Sequence, residues 1–238
     1  MHNTSRILLP LDTDTADKAL ALARDLQNEV AGFKVGLELI NSAGFDIFDK
    51  LSKLDNPNIF YDCKYHDIPN TVAGAARAAG RRGLWMFNIH ASGGSAMLKA
   101  AVQGAEEGAG AGGHAKPLVI AVTVLTSIDQ STLTDIGVDR TVEAQVIALA
   151  KLAQDAGCDG VVASAHEIEA IRKACGPDFK LVIPGIRPAG SDIGDQKRVM
   201  TPAQAVRAGA DYLVIGRPIA AAANPVDVAR QINAETAA

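Results

Sequence analysis

The sequence predicts an α/β fold, a closed (β/α)8 TIM barrel in a single domain over residues 1–238. Three observations point there. Eight segments in turn read as a strand followed by a helix. The strands are short and apolar without alternation, the pattern of a parallel sheet buried on both faces. A short pattern also recurs: Ala156-Gly157-Cys158-Asp159-Gly160-Val161-Val162 matches Ala208-Gly209-Ala210-Asp211-Tyr212-Leu213-Val214. Each copy reads as a helix ending in glycine and feeding a buried strand. The length of 238 residues, 48% of them hydrophobic, suits one large core. An open doubly wound sheet is the alternative, but no GxGxxG follows the first strand.

The elements follow in order. Ile7 to Leu11 is an apolar strand closed by Asp12, with Pro10 an oddity because it removes a ladder donor. Asp14 is expected to cap a helix with Ala16, Ala19, Leu20, Ala23 and Leu26 at helical spacing. Phe33 to Gly36 is strand two, and a helix begins at Leu37. Ile59 to Lys64 is strand three. Pro69 and Asn70 end the extended run before an alanine-rich helix from Thr71 to Arg81. Trp85 to Ile89 is strand four, leading to His90 and a glycine turn, and its helix runs to about Gln103. Gly104 to Lys116 reads as a Gly/Ala-rich loop. Leu118 to Leu125 is strand five, and Thr141 to Gln154 an amphipathic helix with Val142, Val146, Leu149 and Ala153 on one face. Gly160 to Ala163 is strand six, and Ser164 with Glu167 forms a capping box. Leu181 to Ile183 is strand seven, closed by Pro184. The long loop Gly185 to Arg198 precedes a second capping box, Thr201 with Gln204, with proline at the first helical position. Tyr212 to Ile215 is strand eight, and Asn224-Pro225 opens the last helix.

Composition excludes several classes. The net charge is −4 and there is no basic stripe, so no electrostatic case exists for nucleic acid or an anionic membrane surface. Three scattered cysteines without a CxxC argue for a reducing compartment, with no disulfide framework and no cysteine zinc site. The apolar run after MHNTSR is too short for a signal peptide. No run approaches the ~20 residues that span a bilayer. A cytoplasmic protein is expected.

The chemistry collects at strand ends, where a barrel carries its active site. Asp62, Lys64 and Asp67 crowd three ionisable groups into six residues. On a regular strand Asp62 and Lys64 share a face, and Cys63 points away as a small core residue. A structural ion pair would account for an isolated D-x-K. It does not account for Asp12, His90 and Thr126, which also fall at the ends of predicted strands, for Lys34 within strand two, or for Arg217 just after strand eight. His66 joins the face of Asp62 only if the strand persists that far. The loops IPGIRPAG and VIGRPI pair glycine with arginine after strands seven and eight, where barrels bind phosphate. Arg217 offers a bidentate grip. The loop from Gly185 to Arg198, with Arg187 and Gln196 near its ends, has the length of a lid. No metal-ligand spacing, nucleophile elbow or cofactor fingerprint occurs, so no metal and no cofactor are expected. Carboxylates and lysines together suit a reaction that builds negative charge and then takes up a proton.

DxKxxDIPNT at Asp62 to Thr71 resembles the active-site signature of the orotidine 5′-phosphate decarboxylase family. LD at Leu11-Asp12, FKVG at Phe33 to Gly36, NIHASGG at Asn88 to Gly94 and TVLTS at Thr123 to Ser127 extend the resemblance. PGIRP at Pro184 to Pro188, GDQKR at Gly194 to Arg198 and VIGRP at Val214 to Pro218 carry it over nearly the whole chain. The departures are Pro10, Cys63 where an aliphatic residue is usual, and the glycine-rich segment around Gly110. The resemblance implies conversion of orotidine 5′-monophosphate to UMP and CO2 without a cofactor, the last step of de novo pyrimidine nucleotide synthesis. Lys64 would protonate C6, with Asp62 against the departing carboxylate. Lys34 and Asp12 would hold the ribose hydroxyls, and Thr126 would contact the base. Gln196, Arg217 and the Gly216 amide would bind phosphate, and Arg187 would support that loop. Asp67 and Thr71 would reach the neighbouring site of a homodimer. Three alternatives stand beside this: Mg²⁺-dependent sugar-phosphate barrels with a similar D-x-K strand, a histidine-ligated epimerase, and a catalytically silent nucleotide sensor.

Overall fold

The structure, a computed structural model, describes residues 4–188 and 200–237. Eight parallel strands close a barrel in chain order. They are β1 (Ile7–Pro10), β2 (Gly32–Val35), β3 (Ile59–Tyr65), β4 (Met86–His90), β5 (Leu118–Val122), β6 (Gly160–Val162), β7 (Lys180–Pro184) and β8 (Tyr212–Val214). Closure is made where Leu8 of β1 faces Val214 of β8. The helices are α1 (Ala16–Leu26), α2 (Leu37–Ala43), α3 (Asp46–Leu51), α4 (Pro69–Arg81), α5 (Gly94–Gly112) and α6 (Gln130–Asp135), then α7 (Val142–Asp155), α8 (Ile168–Cys175), α9 (Pro202–Ala208), α10 (Arg217–Ala220) and α11 (Pro225–Ala237). Among the described residues no helix is long and apolar enough to cross a membrane.

Two cores explain why the strands do not alternate. Leu8, Phe60, Met86, Ile120 and Val182 point inward and fill the barrel. Their neighbours Ile7, Leu9, Phe87, Val119 and Leu181 point outward into the layer beneath the helices. Both faces are therefore apolar. Burying a side chain of this size stabilises by about 1.5–3 kcal/mol before conformational entropy is counted.

The recurrent Ala-Gly-x-Asp pattern is a latch at the N-terminal face. Asp159 donates its backbone N–H to Val119 O at 2.9 Å and accepts the Val119 N–H on its carboxylate at 2.8 Å. Asp211 repeats this with Leu181, at 3.0 and 2.9 Å. Each aspartate thus pins the start of the preceding strand. Lys116 pairs with Asp159, and Arg172 and Lys180 pair with Asp211.

Several local expectations change. The cap of α1 is Thr15, whose hydroxyl accepts the Lys18 N–H, and not Asp14, which instead pairs with the Lys18 ammonium at 2.8 Å. The helix after strand three starts at Pro69, two residues before Thr71, since proline is tolerated at the first helical position. Gly104 to Lys116 is not a loop: α5 continues to Gly112. Two of its glycines, Gly104 and Gly108, face α4 at backbone contact. A Cβ on Gly104 would collide with the carbonyl of Ala73, one on Gly108 with that of Arg77, and one on Gly80 would lie 2.5 Å from Ala105 O. Close packing of two helices overrides the low helical propensity of glycine. Three short helices, α3, α6 and α10, add to the elements expected from the sequence. Both capping boxes, at Ser164 and Thr201, are present. Pro10 is the last residue of β1, and its ring lies under Gly216, where a Cβ would come within 3.0 Å of it.

Candidate active site

Asp12, Lys34, Asp62 and Lys64 meet at the C-terminal mouth of the barrel as a chain of alternating charge. Lys34 Nζ lies 3.2 Å from Asp12 Oδ1 and 3.2 Å from Asp62 Oδ2. Lys64 Nζ lies 2.6 Å from Asp62 Oδ1. The inner members are shielded, with side-chain exposures of 11% for Lys34 and 13% for Asp62, against 51% for Asp12. Charges this dry are held only when paired. Gly36 leaves the space for them: a Cβ there would come within 2.9 Å of Lys34 Nζ.

Asp62 and Lys64 share a side, as strand parity suggests, but not through regular alternation. β3 is bulged. Tyr61 pairs with Phe87 and Tyr65 with Ile89, so Asp62, Cys63 and Lys64 all stand opposite Asn88. Lys64 has φ +49°, the one positive value at a non-glycine among the described residues. That conformation costs an L-residue about 1–2 kcal/mol, and such strain collects at functional sites. Asn88 itself, buried to 1% exposure, was not singled out from the sequence. The signal available was an amide in the middle of the apolar run MFNIH.

A cavity of about 190 Å³ opens beside the array. Lys34, Asp62, Lys64, Asn88 and Thr126 supply its polar lining, and Val122, Val162, Val182 and Val214 much of its apolar wall. Thr126 is exposed at its edge. Gly216 lies two residues beyond the end of β8 and is the N-cap of α10, whose first residue is Arg217. Arg187 is 8% exposed, its guanidinium donates to Ile186 O, and its backbone N–H donates to Met200 O at 3.2 Å. The two ends of the long loop are thereby joined. Gln196, the whole GDQKR segment and most of the lid expected between Gly185 and Arg198 fall within residues 189–199, outside the described residues.

Asp67 and Thr71 do not join the array. Both are exposed, Asp67 on the turn into α4 and Thr71 in the first turn of that helix, and Asp67 Oδ1 accepts the Ile68 N–H at 2.6 Å. Ile68 between them is 66% exposed. β3 ends at Tyr65, so His66 leaves the strand and its ring packs on His90 at 5.4 Å. Burial, His66 and Lys64 hold the His90 pKa below its usual value. Cys63 packs against the outer core and donates its thiol to Asn88 O; burial pushes that thiol up to about 12. Among the described residues no three of His, Cys, Asp and Glu converge as a metal site.

Burial pushes the Asp62 carboxyl upward. The Lys34 and Lys64 ammoniums, with hydrogen bonds from Lys64 and Asn88, outweigh it and hold the pKa below the ordinary value. The stability that ionised Asp62 contributes is therefore complete above about pH 4, its unfolded value. It is lost as pH falls through the lower folded value. In acid titrations followed by circular dichroism, wild type is expected to lose stability below pH ~4 more steeply than Asp62→Asn. Parallel curves would remove Asp62 from the acid response.

Fold and rim together define an enzyme of the phosphate-binding barrel class: a (β/α)8 scaffold with a dry charge array at its C-terminal mouth and Gly-Arg turns after β7 and β8. The chain belongs to the orotidine 5′-phosphate decarboxylase / HUMPS family, whose model matches residues 5–232. It is 53% identical to the orotidine 5′-phosphate decarboxylase of Moorella thermoacetica over 236 residues, covering 99% of this chain and 93% of that protein. The Haemophilus influenzae (strain PittEE) protein of the same name is 50% identical over 230 residues, 97% of this chain and 98% of that one. The crystal structure of orotidine 5′-phosphate decarboxylase from Lactobacillus acidophilus superposes with a TM-score of 0.86 at 37% identity, covering 98% of this chain and 100% of that one.

Proposed function

We propose that this protein is a carboxy-lyase that converts orotidine 5′-monophosphate to UMP and CO2 without a cofactor, the last step of de novo pyrimidine nucleotide synthesis. The carrying observation is the Asp12–Lys34–Asp62–Lys64 array in a member of this family. The C6–carboxylate bond breaks heterolytically and leaves its electron pair on C6. An ammonium already in place where that charge develops needs no reorganisation. Lys64 then transfers its proton to C6. Asp62 faces the substrate carboxylate and repels the ground state more than the transition state, from which that charge is departing.

The cavity is smaller than the ~300 Å³ at which pockets for drug-sized ligands begin. The pyrimidine therefore enters it, with Thr126 at the base, and the rest of the nucleotide lies across the rim. Lys34 and Asp12 hold the ribose hydroxyls. Arg217, the Gly216 amide and Gln196 take the phosphate, and Arg187 fixes the loop that carries Gln196. Binding energy gathered at the phosphate, remote from C6, offsets the repulsion at Asp62. Asp67 and Thr71 complete the site of a second copy in a homodimer, a role supported by their exposure beside Ile68. The enzyme works in the cytoplasm, in keeping with its three free cysteines.

The test is loss of the orotate absorbance when purified protein meets orotidine 5′-monophosphate in EDTA. A rate proportional to enzyme carries the proposal. A folded protein that leaves the absorbance unchanged refutes it and turns attention to pentulose and hexulose phosphates with Mg²⁺. Arg217→Ala is expected to raise KM about 10–100-fold, the equivalent of one charged hydrogen bond, with kcat nearly unchanged. A fall in kcat at unchanged KM would take Arg217 out of phosphate binding.

A further inference from the structure

The bulge in β3 leaves the Lys64 backbone N–H without a ladder partner, because three residues face one on β4. The Asn88 side chain supplies it. Its Oδ1 accepts the Lys64 N–H at 2.7 Å, and its Nδ2 donates to Asp62 Oδ1 at 2.7 Å. Its backbone carbonyl accepts the Cys63 thiol at 3.1 Å. All three bulged residues are therefore held by one partner. The amide orientation is not ambiguous, since an N–H needs an acceptor and a carboxylate needs a donor. Only a side chain with both, at this reach, serves the two bonds.

We propose that Asn88 is a positioning residue for the decarboxylation: its amide holds Lys64 in the left-handed conformation and fixes Asp62 against the Lys64 ammonium. The inference rests on the proposed function, whose reacting pair it orients. Without the amide, Lys64 relaxes toward an ordinary backbone conformation, and its ammonium leaves the place where the C6 charge develops. Misplacement by about 1 Å is enough for a 100-fold loss.

Asn88→Leu keeps the branched shape, in a somewhat bulkier side chain, and removes both bonds. It is expected to lower kcat about 100-fold while UMP, gripped at the distant phosphate site, binds as to wild type. Its crystal structure should show Lys64 outside the left-handed region. Asn88→Asp keeps the acceptor and regains a donor only when protonated. Asp62, Lys64 and Cys63 on β3, Lys34 on β2 and His90 on β4 are the titratable groups nearby. Two carboxyls facing each other share a proton at lower pH, so kcat relative to wild type should recover as pH falls. A role confined to packing would not produce that recovery. Asn88→Leu with wild-type kcat, or an Asn88→Asp profile parallel to wild type, would overturn the proposal. Should Asn88→Leu not fold, the size-matched Asn88→Asp decides by its profile. If wild type itself leaves orotidine 5′-monophosphate untouched, the proposed function fails, while the conformation of Lys64 in the Asn88→Leu structure still decides whether Asn88 holds the bulge.

Discussion

Lys64→Ala is expected to lower kcat by about 10⁴-fold or more, the combined loss of a positioned proton donor, ~10²–10⁴, and of a preorganised charge, ~10²–10³. UMP binding should change far less, because UMP carries no carboxylate and presents no developing charge at C6. The contrast with Arg217→Ala is the point of the experiment: one substitution acts on the chemical step, the other on capture of the phosphate. Steady-state rates from orotate absorbance, with UMP affinity by calorimetry, separate the two. Lys64→Arg should not restore the rate. A guanidinium is too weak an acid to give up a proton near neutrality, and its planar fork does not match the compact ammonium site 2.6 Å from Asp62. Residual kcat within tenfold of wild type in Lys64→Ala would sink the assignment of the proton donor.

Much of this site is legible in the sequence because barrel geometry converts order along the chain into place. Once eight short apolar strands are recognised, the polar residues ending them must face one rim, so Asp12, Lys34, Asp62 and Lys64 could be brought together in advance. The bulge could not. Strand parity already puts Asp62 and Lys64 on one side, and nothing local to β3 says that Lys64 is left-handed. That conformation depends on Asn88, 24 residues away on another strand. Helix α5 was misjudged for a similar reason. Gly104, Gly108, Gly110 and Gly112 read locally as breakers, yet the first two are demanded by contact with α4. The α1 cap fell to Thr15 by the choice between two adjacent capping residues, a distinction of one position that propensity does not resolve. Short helices such as α10 bury little of their own surface and leave almost no periodic signal.

The glycines of α5 make the second large expectation, and it is one of sign. Helix propensity alone says that Gly→Ala inside α5 stabilises by about 1 kcal/mol wherever it is made. Packing says otherwise at Gly108, where a methyl would enter the Arg77 carbonyl of α4, and agrees at Gly110, where a Cβ meets nothing within 4 Å. Gly110→Ala should therefore raise Tm by about 2–4 °C. Gly108→Ala should lower stability by about 3 kcal/mol, the upper end of overpacking penalties, because backbone cannot rotate away as a side chain can. If both variants gain stability, the two helices are not in backbone contact. The consequence reaches the site. Helix α4 begins at Pro69, directly after Asp67 and Ile68. A methyl group wedged between α4 and α5 would displace the start of α4, where Thr71 sits in the first turn and Asp67 just before it. In the proposed homodimer, where Asp67 and Thr71 serve the site of the second copy, Gly108→Ala should then impair association as well as the fold. Sedimentation of the variant at a temperature where it remains folded would show more monomer than wild type.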